Sequence, residues 1–244
     1  MYSSKLEGYT IESTDKKEFE ILQKEIFKNN IYSIALKNEV PLIIDCGAHI
    51  GLSIISFKLQ YPNSKIIALE PNPIVFPILK HNIEYNRVDG IELIIKAVDT
   101  QEGSKDFYID TDQSWLSTGG FKANSWQGTM KTKAIKVNTI DINNVIEQTL
   151  TKYQSKTIDL LKIDIEGYEY TIIKYLNNKN KFDVIENIIF EYHPINENKF
   201  DHLMELLELL SKKYTNISFL QEGKSLSLED IDISNLLVVK CSIM

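Results

Sequence analysis

Short apolar runs alternate with segments of helical periodicity from Pro41 to the end of the chain. The runs predict strands, because a buried strand is apolar throughout. The periodic segments predict helices, because a helix that packs on a sheet is apolar on one face only. The predicted strands cover residues 42–46, 65–70, 92–98, 107–109, 133–137, 158–165 and 184–192. The predicted helices cover residues 52–61, 73–86, 140–149 and 200–213. This alternation predicts an α/β fold, with a parallel sheet that has helices on both faces.

The two ends of the chain depart from the alternation. After the last predicted helix, the segments ISFL and NLLVVKCS predict two strands joined only by a loop, which favours an antiparallel C-terminal hairpin. Before Pro41, Phe19, Leu22 and Ile26 recur at helical spacing. Residues 1–40 are therefore expected to form a helical extension that packs on the protein or covers its site. Residues 41–244 are expected to form a single domain.

Composition narrows the class of protein. The chain has 244 residues, 43% of them hydrophobic, and a formal net charge of −7, which argues against a nucleic-acid partner because polyanion binding needs a basic surface. Cys46 and Cys241 match no metal-ligand spacing, so we expect buried free thiols in a reducing compartment. The polar start MYSSKLEGYT is no signal peptide, and no apolar run has membrane-spanning length. We expect a cytoplasmic protein without membrane insertion.

The predicted strand ends carry the main clue to function. In open α/β sheets, ligands bind at the carboxyl ends of the strands. Each of these ends presents at least one carboxylate, and the groups in question are residues 45–51, 70–72, 98–99, 164–167 and 191–194.

The glycine turn after the first of these strands indicates an adenosine cofactor. A dinucleotide turn has the pattern G-x-G-x-x-G, whereas this chain has only Gly47 and Gly51, with Asp45 ahead of them. A carboxylate beside a pyrophosphate is unfavourable, so Asp45 favours a ligand with positive charge, such as S-adenosylmethionine. Glu70, at the end of the second strand, is placed to accept hydrogen bonds from two ribose hydroxyls, as in NAD enzymes.

Five motifs, in order, extend this interpretation: DCGAHIG, ALEPNP, AVD, IDLLKIDIEGYE and FEYHP. Together they resemble the FkbM family of S-adenosylmethionine-dependent methyltransferases, and the resemblance covers roughly Pro41 to Pro194. It implies a class I methyltransferase fold, with a seven-stranded, mostly parallel sheet and a reversed final strand. It also implies methylation of hydroxyls on sugars, polysaccharide units or secondary metabolites. His49 departs from the asparagine that is common in the family. The expected cofactor contacts are Asp45, Gly47, Ala48, His49, Gly51, Glu70, Pro71, Asn72, Val98, Asp99 and Asp164.

Two pairs of residues near the later strand ends are candidates for the chemistry. Asp164 and Glu166 are two positions apart, as are Glu191 and His193, so each pair points the same way on a regular strand. One interpretation is that the acids only cap the following helices. A second assigns catalysis to His193, Glu191 and Asp164, with His193 as the general base. A third is a divalent metal, Mg²⁺, Mn²⁺ or Fe²⁺, held by Asp164, Glu191 and His193 or Glu166.

Other assignments stay open at this point. An NAD(P)-dependent oxidoreductase is disfavoured by the missing third glycine, a nucleic-acid methyltransferase by the net charge, and a non-catalytic binding module by the strand-end acids. The long polar stretch 110–132 is expected to be functional. Within it, residues 114–118, with Trp115, are candidates for lining the acceptor site, and a place in the core is the equally open alternative for Trp115. The leucine-rich helix 200–213 is expected to pack on the sheet, and a homodimer face is its alternative function.

Overall fold

The computed structural model describes residues 1–113, 117–123, 131–193 and 199–243. The strands are β1 (Tyr2–Leu6), β2 (Tyr9–Ser13), β3 (Leu42–Cys46), β4 (Lys65–Leu69), β5 (Ile91–Ile94), β6 (Ala97–Asp99), β7 (Gly103–Asp110), β8 (Thr132–Asp141), β9 (Leu160–Ile163), β10 (Asn187–Tyr192), β11 (Asn216–Gln221), β12 (Lys224–Leu226) and β13 (Leu237–Ser242). The α-helices are α1 (Lys16–Gln23), α2 (Leu52–Gln60), α3 (Phe76–Tyr85), α4 (Ile142–Tyr153), α5 (Glu169–Asn178) and α6 (Lys199–Ser211).

The main sheet has the strand order β12-β11-β13-β10-β9-β3-β4-β5. Strands β10, β9, β3, β4 and β5 are parallel to one another, and β13 lies antiparallel between β10 and β11. The predicted α/β class and the reversed final strand are confirmed. The sheet contains the seven expected strands and, at its edge, the short additional strand β12.

Helices cover both faces of this sheet, because its central strands are apolar on both sides. Every residue of β3 and of β9 is buried. Successive residues of β3 enter opposite cores: Ile44 packs with residues of α4, α5 and α6, and Ile43 packs with residues of α1, α2 and α3. Cys46 and Cys241 are buried free thiols, as expected. Among the described residues, no helix is long and apolar enough to cross a membrane.

The predicted strand 92–98 is in fact two strands in different sheets. β5 ends at Ile94 in the main sheet, and β6 begins at Ala97 in a second sheet of order β6-β8-β7. The apolar pattern that predicts a strand continues through Ile95. In the structure this side chain is 47% exposed, and the chain leaves the main sheet there. Strand β8 is also longer than predicted. Val98 and Asp99 consequently lie on the second sheet.

The N-terminal segment contains a hairpin that the apolar pattern did not predict. β1 and β2 pair antiparallel around Glu7 and Gly8, both at positive φ, and carry few apolar residues. The segment continues as α1 and a π-helical turn, Lys24–Lys28, so it is helical only in part. The side chains of Asn82 in α3 and of Asn86, just beyond its end, each accept a hydrogen bond from the backbone of β2 and donate one to it. These bonds fix the hairpin against α3.

The turn after β3 depends on a close approach between two strand ends. Gly47 has φ +86°, and a Cβ added there would lie 1.8 Å from the carbonyl oxygen of Asp164, just beyond β9. Any side chain would therefore force β3 and β9 apart at the edge where ligands bind in such sheets.

We predict that Gly47→Ala destabilises the protein by at least about 3 kcal/mol, because it adds a backbone clash to a strained φ. Gly8→Ala is the matched control: Gly8 has a similar φ of +89° but nothing within 4 Å of an added Cβ. It should cost about 1 kcal/mol, the strain of the left-handed region alone. Urea unfolding of both variants measures the difference, and equal midpoints would contradict the close-approach argument.

Candidate active site

The glycine turn and the end of β4 form one hydrogen-bonded unit. The amides of Gly47 and Ala48 donate to the carbonyl of Leu69, each over 3.0 Å. The amide of His49 donates to Glu70 Oε2 over 3.0 Å, and His49 itself has φ +47°. Gly51, at φ +95°, then begins α2. The turn is therefore held against Glu70 before any ligand binds.

Glu70 lies in the wall of a cavity with an apolar side. Its Oε1 accepts from the amide of Asn72 over 2.7 Å, and each carboxylate oxygen keeps a further lone pair for a ligand. Burial raises the pKa of Glu70. Pro71, Ala97, Val98, Phe107, Phe121 and Tyr168 line the same cavity. A buried carboxylate beside apolar and aromatic surface fits a nucleoside, with ribose hydroxyls on the acid and the base against the apolar wall.

The predicted cofactor residues divide into two sets. Those that line this cavity are Gly47, His49, Glu70, Pro71, Asn72, Val98 and Asp164. Ala48 lines the adjoining cavity, and Asp45, Gly51 and Asp99 line neither. Gly51 has a structural role instead, because its φ of +95° favours glycine and a Cβ there would lie only 2.9 Å from Leu79 Cδ1.

Asp45 does not face the ligand space. Its side chain is fully buried, with Oδ1 3.1 Å from Lys162 Nζ, and Oδ2 accepts from Ser53 Oγ over 2.6 Å. A buried carboxylate needs such compensation. The inference that Asp45 selects a cationic cofactor through its own free charge is therefore corrected: Lys162 neutralises that charge within the protein.

Asp99 is also compensated within the protein. It is fully buried, with Oδ2 2.5 Å from Lys105 Nζ, and its Oδ1 accepts from the Tyr168 hydroxyl over 3.1 Å. The structure thus gives no support to the predicted contact of Asp99 with the cofactor. Asp99 instead positions Lys105 and Tyr168, and Tyr168 lines the cavity.

Lys162 is the central residue that the sequence analysis missed. It is 1% exposed, and its Nζ lies 3.1 Å from Asp45, 3.3 Å from Asp164 and 2.7 Å from the carbonyl oxygen of Gly47. Burial alone would lower the pKa of Lys162, but the carboxylates of Asp45, Asp164 and Glu191 raise it above the usual value. The feature of the sequence that could have revealed this residue is a lysine inside the otherwise apolar strand LLKI.

Asp164 and Glu191 lie together beside this ammonium, as their strand ends predicted. The hydroxyl of Tyr32, a second residue that was missed, lies 3.0 Å from Asp164 Oδ2 and also hydrogen-bonds to Glu191 Oε1. Burial, reinforced by the Asp164 charge, raises the pKa of Glu191 to about 8. Burial would also raise the pKa of Asp164, but Lys162 and His193 hold it below its usual value.

His193 lies between two carboxylates. Its Nδ1 is 3.0 Å from Glu169 Oε1, and its Nε2 is 3.4 Å from Glu166 Oε2. Burial alone would lower the pKa of His193, but Glu166 and Glu169 raise it well above the usual value. Burial and the neighbouring carboxylates raise the pKa of Glu166 to about 8. This shift favours the charged imidazolium, and both ring nitrogens lie next to carboxylates, so His193 is poorly placed to accept a proton from a substrate.

These side chains line a second cavity, of about 560 Å³, next to the Glu70 cavity. Helix α1 and the π-helical turn form its opposite wall with Glu18, Ile21, Leu22, Glu25 and Ile26. Ser117, in a described part of the long loop, donates its amide to Glu18 Oε1 over 2.7 Å. Trp115, a candidate for lining the acceptor site, and Pro194, in the last of the strand-end groups, lie outside the described residues.

Three of these side chains are close enough together to hold a metal ion, but the ammonium of Lys162 already lies beside them. Asp164, Glu191 and His193 can each bring one ligand atom within 4.8 Å of the others. However, Lys162 lies 3.3 Å from Asp164 Oδ2, and the raised pKa of His193 favours its positively charged form. The residues as arranged therefore do not fit a metal, and a divalent ion would require Lys162 to move away from Asp164 and His193 to lose a proton.

We predict that Lys162→Ala destabilises the protein by about 3–5 kcal/mol, because it leaves Asp45 buried without its counter-charge. Lys152→Ala is the control, since Lys152 pairs with Glu92 over 2.7 Å with both side chains at the surface. It should leave the free energy of unfolding essentially unchanged. Chemical denaturation measures both, and a Lys162 variant as stable as the control would show that the buried pair is unimportant.

Comparisons with known proteins show which family the chain matches. A family model described as Methyltransferase FkbM domain matches residues 45–215. The chain is 24% identical over 188 residues to Methyltransferase 1 of Beauveria bassiana, covering 72% of this chain and 74% of that protein. It is 23% identical over 216 residues to 31-O-demethyl-FK506 methyltransferase FkbM of Streptomyces tacrolimicus, covering 77% of this chain and 80% of that protein.

The fold also matches a solved structure. The crystal structure of methyltransferase FkbM from Methylobacillus flagellatus KT has a TM-score of 0.51 and 14% identity to this chain, of which it covers 83%. The chain spans 44% of the length of that structure's chain, and the likeness concerns the fold. Because the family model covers more than half of this sequence, the protein belongs to the FkbM family of S-adenosylmethionine-dependent methyltransferases.

Proposed function

We propose that this protein transfers a methyl group from S-adenosylmethionine to a hydroxyl of a small molecule: a sugar, a polysaccharide unit or a secondary metabolite. The observation that carries the proposal is the position of Glu191, Asp164 and His193 in the wall of a cavity that adjoins the nucleoside-shaped cavity at Glu70. This arrangement offers a proton acceptor next to the expected position of the methyl donor.

The Glu70 cavity is the proposed cofactor site. When bound, S-adenosylmethionine supplies an electrophilic methyl carbon. Glu70 would accept from the ribose hydroxyls, and the apolar wall at Val98 would face the adenine. Asp164, which lines both cavities, carries the negative charge that suits the cationic end of the cofactor. This is the role that the sequence analysis gave to Asp45.

Glu191 is the proposed general base. A base works best when its pKa lies near the working pH, and the pKa of Glu191 is raised to about 8. The acceptor O–H bond would break with its proton passing to the Glu191 carboxylate as the oxygen bonds to the methyl carbon; the bond from that carbon to sulfur would break in the same step, its electron pair would stay on sulfur, and S-adenosylhomocysteine would leave. His193, which stays paired with Glu169, is assigned to orientation and charge balance. Holding both reactants in adjoining cavities supplies much of the rate.

The charges in the wall of the second cavity, which Glu191 lines, indicate the charge of the acceptor. Acidic side chains outnumber lysines in the lining of this cavity, and one of the two lysines, Lys162, is paired with Asp45 and Asp164. The acids are Asp15, Glu18, Glu25, Asp164, Glu166 and Glu191, and the other lysine is Lys17. Such a wall repels phosphate groups, so we infer an acceptor without them. The name 31-O-demethyl-FK506 methyltransferase describes an oxygen acceptor for that relative, which supports a hydroxyl acceptor here.

A metal-assisted version of the same transfer is the second candidate. It is favoured by the 4.8 Å grouping of Asp164, Glu191 and His193, and disfavoured by Lys162 in contact with Asp164. In that case Mg²⁺, Mn²⁺ or Fe²⁺ would lower the pKa of the acceptor hydroxyl. The two versions differ in their response to a chelator.

We predict that Glu70→Ala weakens binding of S-adenosylhomocysteine about 10- to 100-fold, because two hydrogen bonds to a charged acceptor are lost. Calorimetric titration of the purified protein gives the Kd. Glu92→Ala, a surface substitution on β5, is the control and should bind like the wild type. Absence of binding by the folded wild type would overturn the cofactor assignment, and unchanged binding by Glu70→Ala would remove Glu70 from the site.

We predict that Glu191→Gln lowers kcat about 10²- to 10⁴-fold and leaves the affinity for S-adenosylhomocysteine unchanged, because Gln keeps the shape of the side chain but takes up no proton. The assay follows the mass gain of one methyl group in a panel of glycosides and polyols, each tested with and without a phosphate group. Methylation only of phosphorylated members would refute the charge argument.

The same assay, repeated with excess chelator, separates the two versions of the mechanism. Turnover that persists favours Glu191 as the base without a metal. Turnover that is lost with chelator and restored by Mn²⁺ favours the metal. Wild-type turnover by Glu191→Gln would show that this carboxylate is not the base.

A further inference from the structure

We propose that the cavity between the N-terminal segment and the C-terminal strands is an outer acceptor subsite, which binds the ring next to the one that is methylated. The acceptor is then a neutral glycoside of at least two linked rings. This inference rests on the proposed function and narrows its substrate class. The outer cavity, of about 280 Å³, is bounded by Asn29 and Ile31 on the N-terminal side and by Leu220, Ser234 and Val238 on the C-terminal side.

The outer cavity is next to the proposed reaction centre. Glu25, Ile31 and Leu236 line both the outer cavity and the second cavity, so the two cavities meet at these residues. The Glu70 cavity has none of its described lining residues in common with the outer cavity. A molecule that is methylated in the second cavity can therefore extend into the outer cavity without meeting the cofactor.

The strand register places the outer cavity at a distance that suits a second ring. Val238 on β13 lies opposite Glu191 on β10, and Leu220 on β11 lies opposite Val238. The three residues form a row on one face of the sheet, because directly paired residues point the same way. Neighbouring strands lie about 4.8 Å apart, so the row from the proposed base to Leu220 is roughly 10 Å long. Two linked sugar rings span a comparable length.

The lining of the outer cavity fits a neutral ring with several hydroxyls. Ile31 and Val238 provide a buried apolar surface, and Asn29, Ser234 and Glu222 provide hydrogen-bonding groups. A sugar ring has apolar C–H faces and hydroxyl edges, which match these two kinds of surface. None of the described lining residues is a lysine or an arginine, so a phosphorylated ring would find no counter-charge there.

The walls of the outer cavity are built by this chain's own extensions and are held together by internal contacts. Every described residue that lines it falls outside the family match, residues 45–215. Asn29 packs on the turn after β11, because a Cβ on Gly223 would lie 2.5 Å from Asn29 Cγ. The Gln221 side chain donates to the carbonyl of Asp232 over 2.8 Å and accepts from its amide over 3.2 Å, which fixes the loop before β13. The cavity is therefore formed before a ligand binds.

The test is Ser234→Trp, because Ser234 is exposed and lines the outer cavity, so a large side chain there can fill it without disturbing the core. Ser227→Trp is the matched control. Ser227 is also exposed, and each serine hydroxyl donates to an aspartate over 2.6 Å, Asp232 for Ser234 and Asp230 for Ser227. Ser227 lines neither cavity, and urea unfolding checks that both variants are folded.

The first measurement is kcat/KM for neutral methyl glycosides, each supplied as a single ring and extended by one further ring. For the wild type and Ser227→Trp we expect a preference of at least about tenfold for the extended form, because the outer cavity adds apolar contact and hydrogen bonds. In Ser234→Trp this preference should be lost. Equal kcat/KM for the two forms in the wild type, or an unchanged preference in Ser234→Trp, would overturn the inference.

A second measurement decides the subsite without turnover. Saturation-transfer NMR of the protein loaded with S-adenosylhomocysteine shows which ring of the same extended glycosides contacts the protein. Signals from both rings in the wild type and Ser227→Trp, and from one ring only in Ser234→Trp, support the inference. Signals from one ring or from neither in the wild type overturn it. Failure of the proposed function is distinct: the wild type would then bind no S-adenosylhomocysteine or methylate neither form of any glycoside, whereas failure of the subsite alone leaves single rings methylated as well as extended ones.

Discussion

The buried ammonium of Lys162 is the charge on which the site depends. It lies within 3.3 Å of Asp45, Asp164 and the carbonyl of Gly47, and so joins the ends of β3 and β9. Several carboxylates converge at this edge of the sheet, and like charges in a dry environment repel one another strongly. One internal cation, within 3.3 Å of both, offsets the repulsion between Asp45 and Asp164 there. The carboxylates at these strand ends therefore form one charge-balanced group with Lys162 and do not act as independent acids.

The sheet topology makes this group possible. β3 and β9 are parallel neighbours, and their register places Asp45 directly beside Lys162. β10 follows β9 in the sheet, which brings Glu191 to the same edge. Gly47 then passes so close to the carbonyl of Asp164 that no side chain fits between them. The strand pairing therefore determines which charges meet, and the turn can close only because it begins with glycine.

The sequence predicted the layered fold and the positions of the acids, because apolar runs and strand ends are local features. It did not predict which charges are paired, because the partners are far apart in the chain: Lys162 is 117 residues from Asp45, and Tyr32 is 159 residues from Glu191. The role first given to Asp45 failed for this reason, since the sequence showed its charge but not its counter-charge. The β1–β2 hairpin was missed because its stability comes from contacts with α3 rather than from an apolar pattern.

The same charge balance separates the roles of the two carboxylates. Lys162 contacts Asp164 directly and holds its pKa low, whereas the pKa of Glu191, raised by burial and by the Asp164 charge, is about 8. Two acids whose pKa values are driven apart can divide the work of holding charge and moving a proton. In the proposed mechanism Asp164 stays an anion throughout turnover, and Glu191 exchanges the proton. The sequence analysis assigned the base to His193, but its contacts with Glu166 and Glu169 raise its pKa and favour the charged form. The proposed mechanism therefore gives the proton-exchanging role to the carboxylate of Glu191.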